Sequence, residues 1–247
     1  MIPKKIHYCW LSNDPYPDKI TKCINSWKKN LPDYEIVKWD LKRFPLEKSN
    51  WVRQAYEKKQ YAFAADYIRL YALATEGGIY LDSDVEVLKS FNDLLELPYF
   101  ICKENSPQGI EAATIGAERG CEWLRKCLDY YKNKNFINER GEQNNRVLPS
   151  IIKEVLTSNY ILKEVNLPTD IVRDKKAVFM LPSDYFSPKN YVSKKLGITS
   201  NTYSIHHFAG TWQPYWKKAL LRVWVPLSVK YPKITNFIKC ICQNKPL

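Results

Sequence analysis

No acidic residue follows Asp184 in this chain. No run approaches the roughly 18 consecutive apolar residues of a membrane-spanning helix. The opening, MIPKKIHYCWLSNDP, has no apolar segment long enough for a signal peptide. The cysteines number 7, an odd count, and are scattered without zinc-ligand spacing. No internal repeat and no low-complexity segment interrupts the sequence. These absences argue against a spanning protein, a disulfide scaffold and a repeat array. They lead us to expect a cytoplasmic protein whose thiols are reduced and mostly packed as small apolar side chains.

What is present is a globular composition, 45% hydrophobic and 14% aromatic. A length of 247 residues suits one α/β domain, alone or with a small appendage. The net charge of +12 is unevenly placed. All of the acidic residues lie at or before Asp184, and the remainder carries Lys189, Lys194, Lys195, Lys217, Lys218, Arg222, Lys230, Lys233, Lys239 and Lys245. A charge asymmetry of this size calls for a partner.

The stretch AFAADYIRLYALATEGGIYLDSDVEV, residues 62–87, carries the most chemistry. Helix formers run from Tyr61 to Glu76, with Phe63, Tyr67, Leu70 and Ala74 as one apolar stripe. Asp66 and Arg69 share another face. Gly77 fits the left-handed residue that ends a helix. Ile79-Tyr80-Leu81 then reads as a short buried strand, and alternation puts Tyr80, Asp82 and Asp84 on one side. Two carboxylates at the carboxyl end of a strand stand where ligands bind in open α/β sheets. Hard oxygen donors at this spacing suit Mn²⁺ or Mg²⁺, and such an ion can hold a diphosphate.

The rest of the chain supplies a β-α-β opening: a strand over 2–10, a helix over 17–29 and a strand over 34–39. With the 62–76 helix and the strand after it, this predicts a parallel sheet. Later strands are expected at 99–102, 112–115, 177–181 and 203–208, and helices at 121–132 and 143–156. The last strand holds His206 and His207, one facing each way, and either imidazole could complete a metal site begun by Asp82 and Asp84.

The run AADYIRLYALATEGGIYLDSD resembles the DXD-containing sugar transferases of glycosyltransferase family 32. That group includes yeast Golgi mannosyltransferases and bacterial capsule and lipopolysaccharide transferases, and is related to the glucosylating domain of clostridial toxins. IPKKIHYCW, VFMLPSDYFSP and IHHFAGTW look like the family's first strand, its later strand and turn, and its C-terminal histidine motif. The resemblance implies a GT-A fold, a Rossmann-like α/β/α sandwich, with a divalent metal, usually Mn²⁺, and retention of anomeric configuration. It implies that Asp84 binds metal and that Asp82 reaches the metal or the ribose. It gives Asp66 the donor sugar's hydroxyls and Arg69 the sugar and diphosphate. It sets Tyr80 beside the nucleotide and Trp10 on the base. It places a metal or diphosphate histidine at His206 or His207, and the His-x-x-Gly spacing to Gly210 favours His207. The family's Thr-Gly-Pro element, which lies near the donor sugar and acceptor, is missing or remodelled over residues 138–145, where Asn144 or Asn145 is a candidate donor contact.

The expected organisation is a catalytic domain over 1–212 and a basic amphipathic helical segment over 213–247. In the latter, Trp216, Leu220, Val223, Trp224 and Leu227 fall at helical spacing between basic residues, a membrane-surface pattern. The expected activity is transfer of a hexose from a nucleotide sugar, UDP-galactose or UDP-glucose foremost, to a saccharide or lipid-linked oligosaccharide. The setting is bacterial surface polysaccharide synthesis on the inner face of the plasma membrane, with no nucleic-acid partner. The alternatives are a metal-dependent phosphoesterase and a non-catalytic membrane- or glycan-binding protein.

Overall fold

The computed structural model describes residues 1–104, 109–191 and 193–210. The segment expected to be a basic helical extension, 213–247, lies outside the described residues.

The chain opens with β1 (Lys5–Cys9), α1 (Asp18–Asn30) and β2 (Glu35–Trp39), the β-α-β unit expected. A helix not foreseen, α2 (Asn50–Glu57), follows, capped by the Ser49 hydroxyl, which accepts the Val52 N–H. Next come α3 (Tyr61–Glu76), β3 (Gly78–Leu81), β4 (Val85–Val87), β5 (Tyr99–Phe100) and β6 (Thr114–Ala117). After these lie α4 (Glu122–Asp129), α5 (Leu148–Asn159), β7 (Ile161–Glu164), β8 (Ala177–Met180) and β9 (Ser204–His206).

The central sheet has the order β2-β1-β3-β6-β5. β1 pairs in parallel with both β2 and β3, but β6 runs antiparallel to β3 and to β5. The parallel sheet expected from the opening is borne out for β2, β1 and β3, and β6 joins it as an antiparallel neighbour. A parallel neighbour needs a crossover, usually a helix. No α-helix lies between β3 and β6 among the described residues, so the chain can turn back instead. The helix expected from Gln143 starts at Leu148, with Pro149 in its first turn, where a missing N–H costs nothing. Upstream, Asn138 closes a turn by accepting the Arg140 and Glu142 N–H groups on its side chain.

α3 is buried on more sides than its predicted stripe, with Ile68, Ala72 and Leu73 inaccessible as well as Phe63 and Leu70. It packs against α2 and α4 as well as the sheet. It ends at Gly77, whose φ is +69°, and a Cβ there would lie 2.6 Å from the Arg119 backbone nitrogen. The carbonyl of Gly77 accepts from His7 Nε2 at 2.8 Å, and Trp39 Nε1 donates to His7 Nδ1 at 3.0 Å. His7 is thus a neutral core histidine, its pKa lowered by burial. This network ties β1, β2 and the α3–β3 turn into one rigid block. Cys9, Cys23, Cys102, Cys121 and Cys127 are buried free thiols, as their scatter implied. No helix among the described residues is long and apolar enough to cross a membrane.

Candidate active site

β1 and β3 are parallel neighbours, so Trp10 and Asp82, each one residue beyond its strand, emerge at the same sheet edge. The strand ends at Leu81, and residues 82–85 form a tight turn closed by the Val85 N–H donating to the Asp82 carbonyl at 2.9 Å. Alternation therefore accounts for Tyr80 and Asp82 but not for Asp84, which the turn delivers instead. The Asp82 N–H donates to the Ala113 carbonyl at 2.9 Å, fixing the turn to the segment entering β6.

Arg69 reaches this edge from α3. Its Nη2 donates to Asp82 Oδ1 at 2.9 Å and to Asp66 Oδ1 at 3.3 Å, while Nη1 donates to the Ala112 carbonyl. The guanidinium lies 4.5 Å from the centre of the Tyr80 ring, and Nε has no partner among the described residues. Tyr80 is fully buried, so it meets the site from beneath, through Arg69. Burial raises the Asp66 carboxyl to about 6, Arg69 offsetting only part of the cost. Trp10 stands half-exposed with its ring edge-on to Tyr16, and its Nε1 donates to the Asp14 carbonyl at 3.0 Å.

The two histidines separate here. β4 and β9 pair antiparallel with Val85 opposite His206. His206 Nε2 lies 3.7 Å from Asp84 Oδ1, and one ligand atom from each of Asp82, Asp84 and His206 falls within a 4.8 Å group. His207 turns to the other face and meets Glu86 Oε2 at 2.8 Å. Of the two candidates, strand geometry brings His206, and not the favoured His207, to the carboxylates. The backbone after β9 clamps Asp84, with the His207 N–H donating to its carbonyl at 3.2 Å and the Ala209 N–H to its Oδ2 at 2.6 Å.

A further acid escaped the sequence reading. Glu111 is fully buried, and its Oε2 lies 3.3 Å from His206 Nδ1. Its signal was a single carboxylate heading the otherwise apolar run that becomes β6. Burial opposes charge on His206, but Glu111 and Asp84 outweigh it and raise the imidazole to about 10. Arg69 pairs with Asp66 and Asp82, and His206 with Asp84 and Glu111, so four carboxylates meet one permanent cation and one imidazole. Such an excess of buried negative charge favours a further cation. Two carboxylates and an imidazole make a donor set suited to Mn²⁺ or Mg²⁺.

Comparison with known proteins finds sugar transferases. Residues 17–101 match the family model described as a glycosyltransferase sugar-binding region containing a DXD motif. The chain is 33% identical over 127 residues to inositol phosphoceramide mannosyltransferase 3 of Schizosaccharomyces pombe, covering 50% of this chain and 35% of that protein. It is 24% identical to the uncharacterized glycosyltransferase L373 of Acanthamoeba polyphaga mimivirus, covering 88% and 86%. Among solved structures, the PaToxG glycosyltransferase superposes with a TM-score of 0.51 and 25% identity, covering 64% of this chain and 68% of that one. The fold is that of the GT-A glycosyltransferases. Asp82 and Asp84 fall within the matched region and form an Asp-x-Asp sequence there. The chain spans little more than a third of the fission-yeast relative.

Proposed function

We propose that this chain is a metal-dependent retaining glycosyltransferase that moves a hexose from a nucleotide sugar to a saccharide acceptor. The gathering of Asp82, Asp84 and His206 at the carboxyl end of β3, with Arg69 behind them, carries the reading. These three residues would hold Mn²⁺ or Mg²⁺. When bound, the ion supplies positive charge against the charge that builds on the departing diphosphate.

Arg69 fixes Asp66 and Asp82 relative to one another, so the donor meets carboxylates already in place. Asp66 accepts hydrogen bonds from the sugar hydroxyls as the ring gains positive character. Tyr80 keeps Arg69 in plane from below. Trp10 offers a face for the base at the same edge. We assign no nucleophile; the acceptor oxygen would bond to the anomeric carbon on the face from which the diphosphate oxygen departs and pass its proton to that phosphate, so that configuration is retained.

UDP-galactose and UDP-glucose are the first donors to try, and the name of the fission-yeast relative adds a mannose nucleotide to the panel. The acceptor is a saccharide or a lipid-linked oligosaccharide of a bacterial surface polysaccharide. The basic 213–247 segment is proposed to hold the enzyme peripherally at an anionic inner leaflet. The test is release of nucleoside diphosphate from a panel of UDP- and GDP-sugars with Mn²⁺. Asp84→Ala should abolish release; turnover equal to wild type would overturn the metal assignment.

A further inference from the structure

We propose that Glu111 is a positioning residue for the cation site, holding the His206 ring so that Nε2 faces Asp82 and Asp84. This rests on the glycosyltransferase reading above. Glu111 has 0% exposure, and each of its carboxylate oxygens has a distinct task. Oε1 accepts the Ala113 N–H at 2.6 Å, which locks the carboxylate to the strand entering β6. Oε2 lies 3.3 Å from His206 Nδ1. His206 is its one ion-pair partner among the described residues. A carboxylate buried this fully is costly unless paired, so the pairing is also what makes Glu111 tolerable.

An imidazole has two nitrogens, and the bond made by one decides what the other offers. With Nδ1–H donated to Glu111, Nε2 is the nitrogen that gives up its proton and offers its lone pair when a metal binds. Nε2 is also the nitrogen beside Asp84, at 3.7 Å. The Phe208 ring, 4.0 Å from the His206 ring between centroids, packs against it. A carboxylate behind a metal-binding histidine both orients the ring and raises its basicity, and losing it typically weakens metal binding by about 10- to 100-fold. Glu104, Glu111 and His206 also gather within 4.8 Å, which frames the competing idea that Glu111 is itself a ligand in a second cation site. The two ideas exclude one another, because a nitrogen carrying a proton cannot also ligate, and the tautomer separates them.

The experiment titrates Mn²⁺ into the full chain, alone and with UDP, reading free Mn²⁺ by electron paramagnetic resonance. Wild type, Glu111→Gln, His206→Ala and the double variant are compared. Glu111→Gln keeps the side-chain volume and should weaken Mn²⁺ about 10- to 100-fold. In the His206→Ala background the same change should add less than about twofold, because its effect passes through the ring. A second reading needs no variant of Glu111: ¹⁵N-histidine spectra of wild type with saturating Mg²⁺, with His206 assigned by His206→Ala, should show the Nδ1–H tautomer.

Unchanged Mn²⁺ affinity in Glu111→Gln, equal losses in both backgrounds, or an Nε2–H tautomer would each overturn the inference while leaving the glycosyltransferase reading intact. Two ions per chain, with one lost in Glu111→Gln, would overturn it in favour of Glu111 as a ligand. Failure of wild type to bind Mn²⁺ in either condition would remove the cation site itself, and both readings with it.

Discussion

Asp66→Asn should make the protein more stable and less active. Burial holds the Asp66 carboxyl at about 6 against an ordinary 3.8, although Arg69 Nη2 is only 3.3 Å away. At about 1.36 kcal/mol per unit, the ionised form costs the fold roughly 3 kcal/mol relative to the neutral form. The folded state holds this proton more tightly than the unfolded chain does. The contribution is therefore fully present below 3.8 and is lost as pH rises through about 6.

Asparagine has nearly the same shape and is neutral throughout, so it escapes that loss. In urea titrations at pH 7.5 the variant should exceed wild type by about 1–3 kcal/mol. At pH 4 the gap should close to less than about 1 kcal/mol, because wild-type Asp66 is then protonated. Nucleoside diphosphate release should fall by about 100-fold if the charged carboxylate orients the sugar. A variant less stable than wild type by the same margin at both pH values would refute the reasoning. It would mean that the bond to Arg69, and not the cost of burying the charge, dominates at this position.

Four other outcomes are expected. His206→Ala should cost at least about tenfold in Mn²⁺ affinity. His207→Ala removes a half-exposed pair with Glu86, so it should leave that affinity within about twofold and stability within about 1 kcal/mol, by Mn²⁺ titration and urea. Gly77→Ala should destabilise by about 2–3 kcal/mol in urea, since its φ is +69° and the new Cβ would meet the Arg119 backbone nitrogen at 2.6 Å. Mn²⁺ at about 100 times its dissociation constant should add about 2.7 kcal/mol, seen as a higher melting temperature that a chelator reverses; no shift would count against a bound cation in the folded state.

The parts legible in the sequence were those set by local chemistry. Helix formers, a glycine pair and a short apolar run specify α3, its stop and β3 with little help from the rest of the chain. Asp66, Arg69, Tyr80 and Asp82 then meet because one helix, one turn and one strand fix them. What stayed hidden depended on pairing between distant segments. β4 is only three residues long, and its partner β9 lies far along the chain. That register decides whether His206 or His207 faces the carboxylates, and a slip of one residue would exchange them. The reversal of β6 is equally non-local. Glu111 was hidden for a different reason: a lone acid in an apolar run announces no partner until the strand behind it is placed.

The same non-local pairing explains why the site is built with uncompensated charge. Asp66, Asp82, Asp84 and Glu111 come from three places in the chain, and among the described residues Arg69 is the one permanent cation paired within the cluster. Burial is the main cost, as the raised Asp66 carboxyl shows, and the neighbouring Asp82 charge adds to it. A core optimised for stability would neutralise or replace such a group. Here the rigid block of β1, β2 and the α3–β3 turn holds the acids together, with His7, Trp39 and Gly77 buried in its hydrogen-bond network. The scaffold therefore supplies what the cluster takes away, and the unmet negative charge is available to a cation and to the diphosphate that a cation would hold.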